Sequence, residues 1–575
     1  MKIALAQINP TVGDFAGNTR LILDFTARAA DQAADLVVFP ELCVCGYPPA
    51  DLLEKKSFLD RSTEALQQIA DHSATGPAIL CGTALPTDSP DGKSSEGKRA
   101  RNVAALLSGG KVTFLQQKML LPFYDVFDEQ RYFEPAAHQT LTILNGNPLA
   151  ITVCEDAWND KGFWPRRLYA VDPVDELMRQ WGTLPDPIAV HPRLILNISA
   201  SPFWSGKRDL RRNMLSAIAR RHSAFVAMVN QVGGNDSLVF DGSSLVLAPN
   251  GEVVAQAVSF REDLIFFDTS NSQTSALGPP AQTIASEDSG DISATWDALV
   301  LGTRDYVRKC GFSKALVGLS GGIDSALVAA IATEALGPEN VLGIGMPSEF
   351  SSTGSIDDAR SLASNLGIRF ELVAIQNVFQ QYQRTLEPLF AGTPFGLAEE
   401  NLQSRIRGAL LMALSNKFGA LVLTTGNKSE MSTGYCTLYG DMVGALAVIG
   451  DVFKTRIYAL SRCANRDREI IPRNTIEKPP SAELRPGQRD TDSLPPYEVL
   501  DPILEAYVER YCSAEQILAE RTASGETIDL ALIRRVLSLV ERSEYKRQQA
   551  APVLKVTQKS FGNGRRFPIA VKIEV

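Results

Sequence analysis

Short apolar runs recur along the first half of the chain, separated by polar segments with helical periodicity. Runs of this length, bounded by turn residues, are typical of buried strands. The series predicts an α/β unit built from packed sheets. The predicted strands are Lys2–Ile8, Asp35–Phe39, Ala78–Thr83, Asn102–Leu107, Leu149–Val153, Leu194–Ile198, Phe225–Asn230, Ser244–Ala248 and Leu264–Asp268.

A polar segment without periodicity, residues 271–291, interrupts this pattern and predicts a linker between units at 1–270 and 292–575. Beyond it, apolar runs alternate again with helical segments, which predicts a doubly wound parallel sheet with its ligand crevice at the carboxyl ends of the strands. A later stretch, Thr475–Tyr497, is rich in Pro and charge and predicts a mobile loop. The predicted strands of this half are Ala315–Leu319, Val341–Met346, Phe370–Ala374 and Ala420–Thr425.

The composition is that of a soluble globular protein. The chain has 575 residues, of which 45% are hydrophobic and 21% charged, enough for about two or three domains. A net charge of −9 argues against a nucleic-acid partner, and no apolar stretch is long enough to predict a membrane span. Eight cysteines without Cys-x-x-Cys spacing argue against a zinc site or disulfide framework and favour the cytoplasm. Only four histidines are present, so we expect no histidine-dependent mechanism.

The strongest chemical signal is the hexapeptide that joins the predicted strand at Ala315 to an apolar helix. Gly321 and Gly322 allow a tight turn, and the helix start presents backbone N–H groups to an anion. The flanking serines add hydroxyl donors, and Asp324 adds a carboxylate that suits a metal ion. This predicts a pyrophosphate cradle rather than the mononucleotide P-loop, which needs a Gly-Lys-Ser/Thr ending. The alternative is a glycine-rich turn without a ligand.

Three polar residues in the first half follow predicted strands or short apolar runs: Glu41, Lys118 and Cys154. Each alone has an ordinary explanation, respectively a helix cap, a surface charge and a small core residue. Together they supply a base, a cation and a nucleophile. Glu41 would take the thiol proton, Cys154 would attack a carbonyl carbon, and Lys118 would stabilise the oxyanion.

These motifs resemble known families. The hexapeptide resembles the PP-loop of ATP pyrophosphatases, which cleave ATP between the α and β phosphates and adenylate a carboxylate or carbonyl. The order Glu-Lys-Cys resembles the nitrilase/amidase superfamily, whose fold is an αββα sandwich. Joined in one chain, the two halves resemble the glutamine-dependent NAD synthetase family closely. The motifs that carry this likeness lie at residues 39–42, 121–129, 320–325, 424–430 and 478–484.

The resemblance implies ATP-dependent amidation of deamido-NAD (nicotinic acid adenine dinucleotide) to NAD through an acyl-adenylate. Glutamine would supply ammonia, which would reach the adenylate through an internal tunnel, and the other products would be AMP, pyrophosphate and glutamate. ATP would be a co-substrate and Mg²⁺ the metal cofactor. The family also implies a cytoplasmic homo-oligomer, often an octamer.

The resemblance also implies roles for individual residues. In the first half, Cys154 would be the nucleophile, Glu41 the base and Lys118 the oxyanion cation, and glutamine would be bound by Tyr124, Glu129, Ser201 and Lys207. In the second half, ATP would be bound by Gly318, Leu319, Ser320, Gly321, Gly322, Ile323, Asp324, Ser325 and Thr425. Deamido-NAD would be bound by Asn401, Glu430 and Lys546, and the metal by Asp324 and Glu430. The loop from Lys478 to Tyr497 resembles a flap over the phosphates, with Lys478 and Asp490 as candidate contacts.

Other functions fit the sequence less well. An asparagine-forming PP-loop enzyme uses an N-terminal cysteine, but residue 2 is Lys. A GMP-forming enzyme uses a Cys-His-Glu glutaminase, which the flanks of Cys154 do not match. A tRNA-thiolating enzyme would need paired cysteines and a basic face. A scaffold with two inactive halves would not hydrolyse glutamine, and an ammonia-only synthetase would have lost the triad; the intact residues argue against both.

Overall fold

The computed structural model describes residues 1–87, 98–185, 188, 191–270 and 287–573. The chain divides into two compact units, the first formed by Met1–Asn235 with Val239–Ala285 and the second by Asp236–Leu238 with Ser286–Val575. The predicted linker, residues 271–291, lies outside the described residues as far as 286, and its last residues already belong to a helix. Among the described helices, none is both long and apolar enough to cross a bilayer.

Where the structure describes it, the first unit contains fourteen strands and five α-helices. They are β1 (Lys2–Gln7), α1 (Phe15–Asp31), β2 (Leu36–Val38), α2 (Lys56–His72), β3 (Ala78–Pro86), β4 (Ala100–Ser108), β5 (Lys111–Gln117), α3 (Glu129–Tyr132), β6 (Thr142–Leu144), β7 (Asn147–Val153), α4 (Pro173–Trp181), β8 (Leu194–Ser199), α5 (Lys207–His222), β9 (Phe225–Asn230), β10 (Val232–Asn235), β11 (Leu238–Asp241), β12 (Leu245–Leu247), β13 (Val253–Gln256) and β14 (Asp263–Asp268).

Two six-stranded sheets form the centre of this unit, in the orders β14-β1-β2-β3-β4-β5 and β13-β12-β9-β8-β7-β6. Their inner faces share one apolar core, to which Leu5 and Leu80 contribute from the first sheet and Ile151 and Leu196 from the second. Strands β1, β2 and β3 are parallel to one another, as are β7, β8 and β9. The polar ends of these strands therefore meet beside the shared core, and the predicted αββα sandwich is confirmed.

The second unit contains five strands and twelve helices among its described residues. They are α6 (Glu287–Lys309), β15 (Ala315–Gly318), α7 (Ile323–Leu336), β16 (Val341–Gly345), α8 (Thr353–Leu366), β17 (Arg369–Leu372), α9 (Gln376–Phe390), α10 (Leu397–Phe418), β18 (Leu421–Thr424), α11 (Lys428–Thr433), β19 (Leu446–Ala447), α12 (Lys454–Ala464), α13 (Arg473–Glu477), α14 (Tyr497–Val508), α15 (Ala514–Ala523), α16 (Leu530–Arg542) and α17 (Glu544–Arg547).

All five strands of the second unit are parallel, in the order β17-β16-β15-β18-β19. Successive strands add to one side of β15 until β17, and the chain then crosses to the other side at β18. The strand order thus reverses between β15 and β18, and such a point opens a crevice at the carboxyl ends of the strands. The predicted doubly wound sheet is confirmed, and the hexapeptide lies at this reversal.

Candidate active sites

Glu41, Lys118 and Cys154 lie at strand ends in the first unit. Glu41 follows β2 and Lys118 follows β5, both in the first sheet, whereas Cys154 follows β7 in the second sheet. Glu41 and Lys118 are fully buried, and Cys154 is 6% exposed. The fold therefore brings together three residues that are far apart in the sequence.

Three donors fix the Glu41 carboxylate. Lys118 Nζ and Asn102 Nδ2 each lie 2.7 Å from Oε1, and the backbone N–H of Ala200, which follows β8 in the second sheet, donates to Oε2 at 3.0 Å. Charge-assisted hydrogen bonds of this length are strong and directional. The carboxylate is consequently held in one orientation between the two sheets.

Lys118 also binds a second carboxylate, that of Glu129. Its Nζ lies 2.9 and 2.8 Å from the two Glu129 oxygens, and Tyr47 Oη donates to Oε1 of the same group at 2.9 Å. Burial raises the pKa of Glu129 to about 7, although Lys118 acts in the opposite direction. Burial would lower the pKa of Lys118, but the charges of Glu129 and Glu41 outweigh it and hold that pKa well above its ordinary value. Lys118 is therefore a permanent cation.

Cys154 has a left-handed backbone, with φ of 45°, and is the first residue of a 3₁₀ turn, Cys154–Ala157. Non-glycine residues in this conformation are strained by about 1–3 kcal/mol and cluster at functional sites. The side-chain amide of Asn197 donates to the Cys154 carbonyl at 3.2 Å. Burial and the Glu41 charge raise the pKa of the thiol, which Lys118 opposes. The thiol is thus protonated at rest and needs a base.

A buried carboxylate that the sequence analysis did not single out, Glu155, lies directly after the cysteine. Tyr124 Oη donates to both of its oxygens at 3.0 Å, and Tyr169 Oη donates to Oε1 at 3.2 Å. Burial raises the pKa of Glu155, while the nearby charges of Lys118 and Lys207 lower it. Tyr124 is therefore placed beside the cysteine turn through Glu155.

Two other residues predicted to bind glutamine, Ser201 and Lys207, follow β8 of the second sheet. The Ser201 backbone N–H donates to Asn230 Oδ1 at 2.8 Å, and Lys207, at the start of α5, donates to the Pro202 carbonyl at 2.9 Å. Lys207 Nζ also lies 5.5 Å from the centre of the Trp158 ring. Glu129, in contrast, directs both oxygens at Lys118 and belongs to the charge network described above.

In the second unit, the hexapeptide forms a tight connection from β15 to α7. Gly321 has φ of 79°, and a Cβ there would lie 2.2 Å from the Ser355 carbonyl oxygen, so only glycine fits. Gly322 precedes the first turn of α7. The Ser320 N–H donates to Ser325 Oγ at 3.3 Å, and the Gly322 N–H donates to Ser320 Oγ at 3.2 Å. The loop is ordered by its own serines.

A cavity of about 310 Å³ opens at this loop. Most residues predicted to bind ATP or metal line it. They are Gly318, Leu319, Ser320, Gly322, Ile323, Asp324, Ser325, Thr425 and Glu430, and the two flap residues Lys478 and Asp490 line it as well. Gly321, Asn401 and Lys546 do not.

Two carboxylates lie near one ammonium in this cavity, and the charge of a third, Asp490, also acts on it. Lys454 Nζ forms an ion pair with Asp324 Oδ2 and lies 4.0 Å from Glu430 Oε1. Asn427 Nδ2 donates to Asp324 Oδ1 at 3.0 Å. Burial raises the pKa of Glu430 well above its ordinary value, and the charges of Asp324 and Asp490 add to this effect. The charge of Lys454 acts in the opposite direction. Excess negative charge of this kind suits a divalent cation.

Among the residues described by the structure, no group of three or more Asp, Glu, His or Cys side chains is arranged to hold a metal. Mg²⁺ commonly takes only one or two carboxylates and completes its coordination with phosphate oxygens and water. Asp324 and Glu430 therefore fit a magnesium ion that arrives with a nucleotide.

Asn401 and Lys546 do not line the cavity themselves but support the loop after α11, whose Tyr435 and Asp441 do line it. Asn401 Oδ1 accepts from Thr437 Oγ1 at 2.8 Å, and Lys546 Nζ donates to the carbonyls of Gly434 and Cys436, each at 2.7 Å. These three partners follow α11, which begins just before Glu430. The predicted contact of both residues with deamido-NAD stays a prediction.

Comparison with known proteins matches each unit to a family. Residues 2–277 match the carbon-nitrogen hydrolase family and residues 295–550 the NAD synthase family. A glutamine-dependent NAD(+) synthetase from Synechocystis sp. is 48% identical over 99% of this chain and 98% of its own length. One from Thermotoga maritima is 43% identical over the same shares. The chain belongs to the glutamine-dependent NAD(+) synthetase family.

Solved structures of this family have the same fold. A glutamine-dependent NAD+ synthetase from Acinetobacter baumannii, in complex with adenosine diphosphate, is 37% identical, with a TM-score of 0.74 over 99% of this chain and 98% of that one. Another, from Cytophaga hutchinsonii, has a TM-score of 0.79 at 22% identity, over 99% of this chain and 97% of that one. The chain is thus an enzyme of the glutamine-dependent NAD(+) synthetase family in which a carbon-nitrogen hydrolase unit precedes an NAD synthase unit.

Two further cationic side chains of this family member line the cavity and were missed from the sequence. Lys454 opens α12, and Arg407 lies within α10, where its Nε donates to the Met346 carbonyl at 3.0 Å. Burial lowers the pKa of Arg407 to about 10. A lone lysine and an arginine on a helix carry no local signal, because their partners are far away in the sequence.

Proposed function

We propose that this enzyme makes NAD from deamido-NAD, ATP and glutamine through an acyl-adenylate. The observation that carries the proposal is that one chain contains two separately built sites. One is a buried thiol, Cys154, beside the Glu41–Lys118 pair, and the other is a glycine-rich loop beside the Asp324–Glu430 pair. The first suits amide hydrolysis and the second suits nucleotide chemistry.

In the glutaminase step, Glu41 takes the proton of the Cys154 thiol as the sulfur attacks the side-chain amide carbon of glutamine. The Lys118 ammonium stabilises the negative charge that develops on the amide oxygen. Glu41 then returns the proton to the leaving nitrogen, and ammonia departs. Water, deprotonated by Glu41, attacks the thioester, the carbon–sulfur bond breaks and glutamate leaves. Glu41 returns the proton to the sulfur, which regenerates the thiol.

The chain offers charges for both ends of free glutamine. The Glu155 carboxylate, held by Tyr124 and Tyr169, would accept the α-ammonium group. Lys207 and Ser201 would hold the α-carboxylate. A site that bonds both charged groups would discriminate strongly against amides that lack them, because buried polar partners would be left unpaired.

In the synthetase step, the Ser320–Ser325 loop and the start of α7 hold the departing pyrophosphate of ATP. The nicotinate carboxylate of deamido-NAD attacks the α-phosphorus, the bond to the β-phosphate oxygen breaks, and pyrophosphate leaves. Asp324 and Glu430 would hold Mg²⁺, which would neutralise phosphate charge. Ammonia then attacks the acyl carbon and AMP leaves, which gives the carboxamide of NAD.

Ammonia is mostly protonated near neutral pH, and ammonium is not a nucleophile. A glutaminase in the same chain therefore has a purpose only if neutral ammonia reaches the adenylate without equilibrating with water. An internal tunnel, a homo-oligomer such as an octamer and a cytoplasmic location are part of the same proposal, on the strength of the family resemblance.

The test compares NAD formation from deamido-NAD, ATP and Mg²⁺ with glutamine or ammonium as nitrogen source. Cys154→Ala should lose glutamine-driven synthesis and keep ammonium-driven synthesis. Cys81→Ala, which removes a buried thiol from β3, is the matched control and should keep both. If the wild type hydrolyses glutamine but forms NAD from neither source, the acceptor is wrong and another carboxylate or carbonyl substrate is required.

A further inference from the structure

One buried carboxylate in the first unit bonds to both of the strand ends that carry Lys118 and Cys154. Asp156 Oδ1 accepts the backbone N–H groups of Met119 at 3.0 Å and Leu120 at 2.8 Å. Its Oδ2 accepts the N–H of Val153 at 3.1 Å. The residue is 1% exposed.

These two strand ends belong to different sheets. Lys118 follows β5 at the edge of the first sheet, and Cys154 follows β7 in the second. Apolar packing holds the two sheets together, but it is not directional and does not set the position of one backbone against another. Hydrogen bonds to an ionised carboxylate are directional. Asp156 therefore fixes the end of one sheet against the end of the other.

The same carboxylate also acts on the conformation of the nucleophile. Asp156 bonds back to the N–H of Val153, which closes a short turn around Cys154. The left-handed φ of Cys154 is a strained state that persists only where the surroundings enforce it. Asn197 restrains the carbonyl side of the cysteine, and Asp156 restrains its amide side.

We propose that Asp156 is a positioning residue that sets the geometry of Lys118 relative to Cys154. The proposal deepens the glutaminase function proposed above and rests on it. Asp156 acts through the backbone N–H groups of Met119, Leu120 and Val153 and not through its own contact with a reacting atom. Glu41 also bonds across the sheets, to Ala200, but that bond places the base, whereas Asp156 places the cation and the nucleophile.

The energetic context agrees with this role. Three backbone N–H groups at one buried point would each cost about 1–3 kcal/mol if they were left without an acceptor. Burial raises the pKa of Asp156 to about 7, although the three N–H groups and Lys118 lower it. The protein thus keeps an ionisable group where its charge is unfavourable.

Two variants disturb these hydrogen bonds in different ways. Asp156→Asn keeps the shape but turns one acceptor into a donor, and Asp156→Glu keeps the charge but moves it by one methylene. Both should lower kcat for glutamine hydrolysis about 100-fold, because a shift near 1 Å costs that much. KM for glutamine should stay within about threefold, since Glu155, although next to Asp156, is held separately by Tyr124 and Tyr169.

A second measurement reports the geometry directly. Iodoacetamide alkylation of Cys154, followed by peptide mass spectrometry across pH, gives the apparent pKa of the thiol. In Asp156→Glu this pKa should rise, because Lys118, which lowers it, no longer lies in its original position. Ammonium-driven NAD formation in the same preparations should equal that of the wild type, which shows that the second unit is folded, and the retained KM for glutamine shows the same for the first unit.

The matched control is Asp160→Asn. Asp160 is also a buried carboxylate with two backbone partners, Gly162 and Phe163 at 2.8 Å each, and both lie in its own loop. Its Oδ2 also pairs with Arg221 of α5 at 2.5 Å, so it bonds to neither the strand end of Lys118 nor that of Cys154. This variant should leave the alkylation profile of Cys154 unchanged. If Asp156→Glu keeps both the wild-type kcat and the wild-type alkylation profile, the positioning role is refuted. If the wild type itself hydrolyses no glutamine, the proposed glutaminase function fails instead.

Discussion

Replacement of Lys118 by methionine tests the charge network of the first unit. The change removes the ammonium that lies 2.7 Å from Glu41 and 2.8 Å from Glu129. Methionine fills a similar volume, so the effect is electrostatic rather than a cavity. Loss of one partner from a buried ion pair costs about 3–5 kcal/mol, because the remaining charges are left without compensation.

The loss should depend on pH in a defined direction. The pKa of Glu129 is already raised to about 7 in the folded wild type and must rise further when its cation is removed. When the pKa of a group is higher in the folded than in the unfolded protein, its contribution to the free energy of unfolding is complete below the unfolded pKa. That contribution is lost as the pH rises through the folded pKa. The contribution of Glu129 therefore stops lowering the free energy of unfolding of the wild type near pH 7, whereas that of the variant continues to fall at higher pH. The difference in the free energy of unfolding between wild type and Lys118→Met should widen by about 2 kcal/mol between about pH 7 and pH 8.5.

Urea unfolding followed by tryptophan fluorescence measures this gap. Four of the five tryptophans lie in the first unit, namely Trp158, Trp164, Trp181 and Trp204. Lys56→Met is the control, since its exposed pair with Asp60 at 2.8 Å contributes about 0–1 kcal/mol. A gap between wild type and Lys118→Met that is the same at both pH values would refute the reasoning.

Three further outcomes are expected. Glu41→Gln removes a charge that raises the pKa of Cys154, so iodoacetamide should alkylate the thiol faster near neutral pH. Glutamine hydrolysis should fall about 10²–10⁴-fold, because the base is lost. An unchanged alkylation rate would contradict this reasoning. Lys454→Met leaves Asp324 without its cation, so NAD formation should fall with either nitrogen source while glutamine hydrolysis continues; equal loss of both activities would contradict it. Glu483→Ala removes three hydrogen bonds from the flap to the start of α8, so KM for ATP should rise about tenfold; an unchanged KM would argue against a role of the flap.

The continuous apolar runs predicted the interior strands well. Phe225–Asn230 is a strand with the predicted bounds, and Ala315 and Val341 begin strands as expected. Strand β5 was missed because most of its residues, Lys111–Gln117, are exposed or half-buried at the edge of a sheet. Such an edge strand takes its conformation from its neighbour β4 and not from an apolar run of its own.

The candidate sites divide in a similar way. Glu41, Cys154 and Asp324 could be predicted because strand ends and a glycine-rich turn mark their positions in the sequence. Asp156 and Lys454 could not, because their partners lie 37 and 130 residues away. Local pattern carries no information on which buried polar groups will meet across two sheets or across a crevice. The residues proposed to hold a site in place are therefore harder to predict than those proposed to perform its chemistry.

The central claim is that the amide nitrogen of glutamine becomes the carboxamide nitrogen of NAD within one protein. The most direct test supplies the enzyme with glutamine labelled with ¹⁵N in its side-chain amide, together with deamido-NAD, ATP, Mg²⁺ and an excess of unlabelled ammonium. Mass spectrometry then measures the ¹⁵N content of the NAD product. The account predicts labelled NAD from the wild type and only unlabelled NAD from Cys154→Ala. Unlabelled NAD from a wild type that still releases labelled ammonia into solution would contradict it.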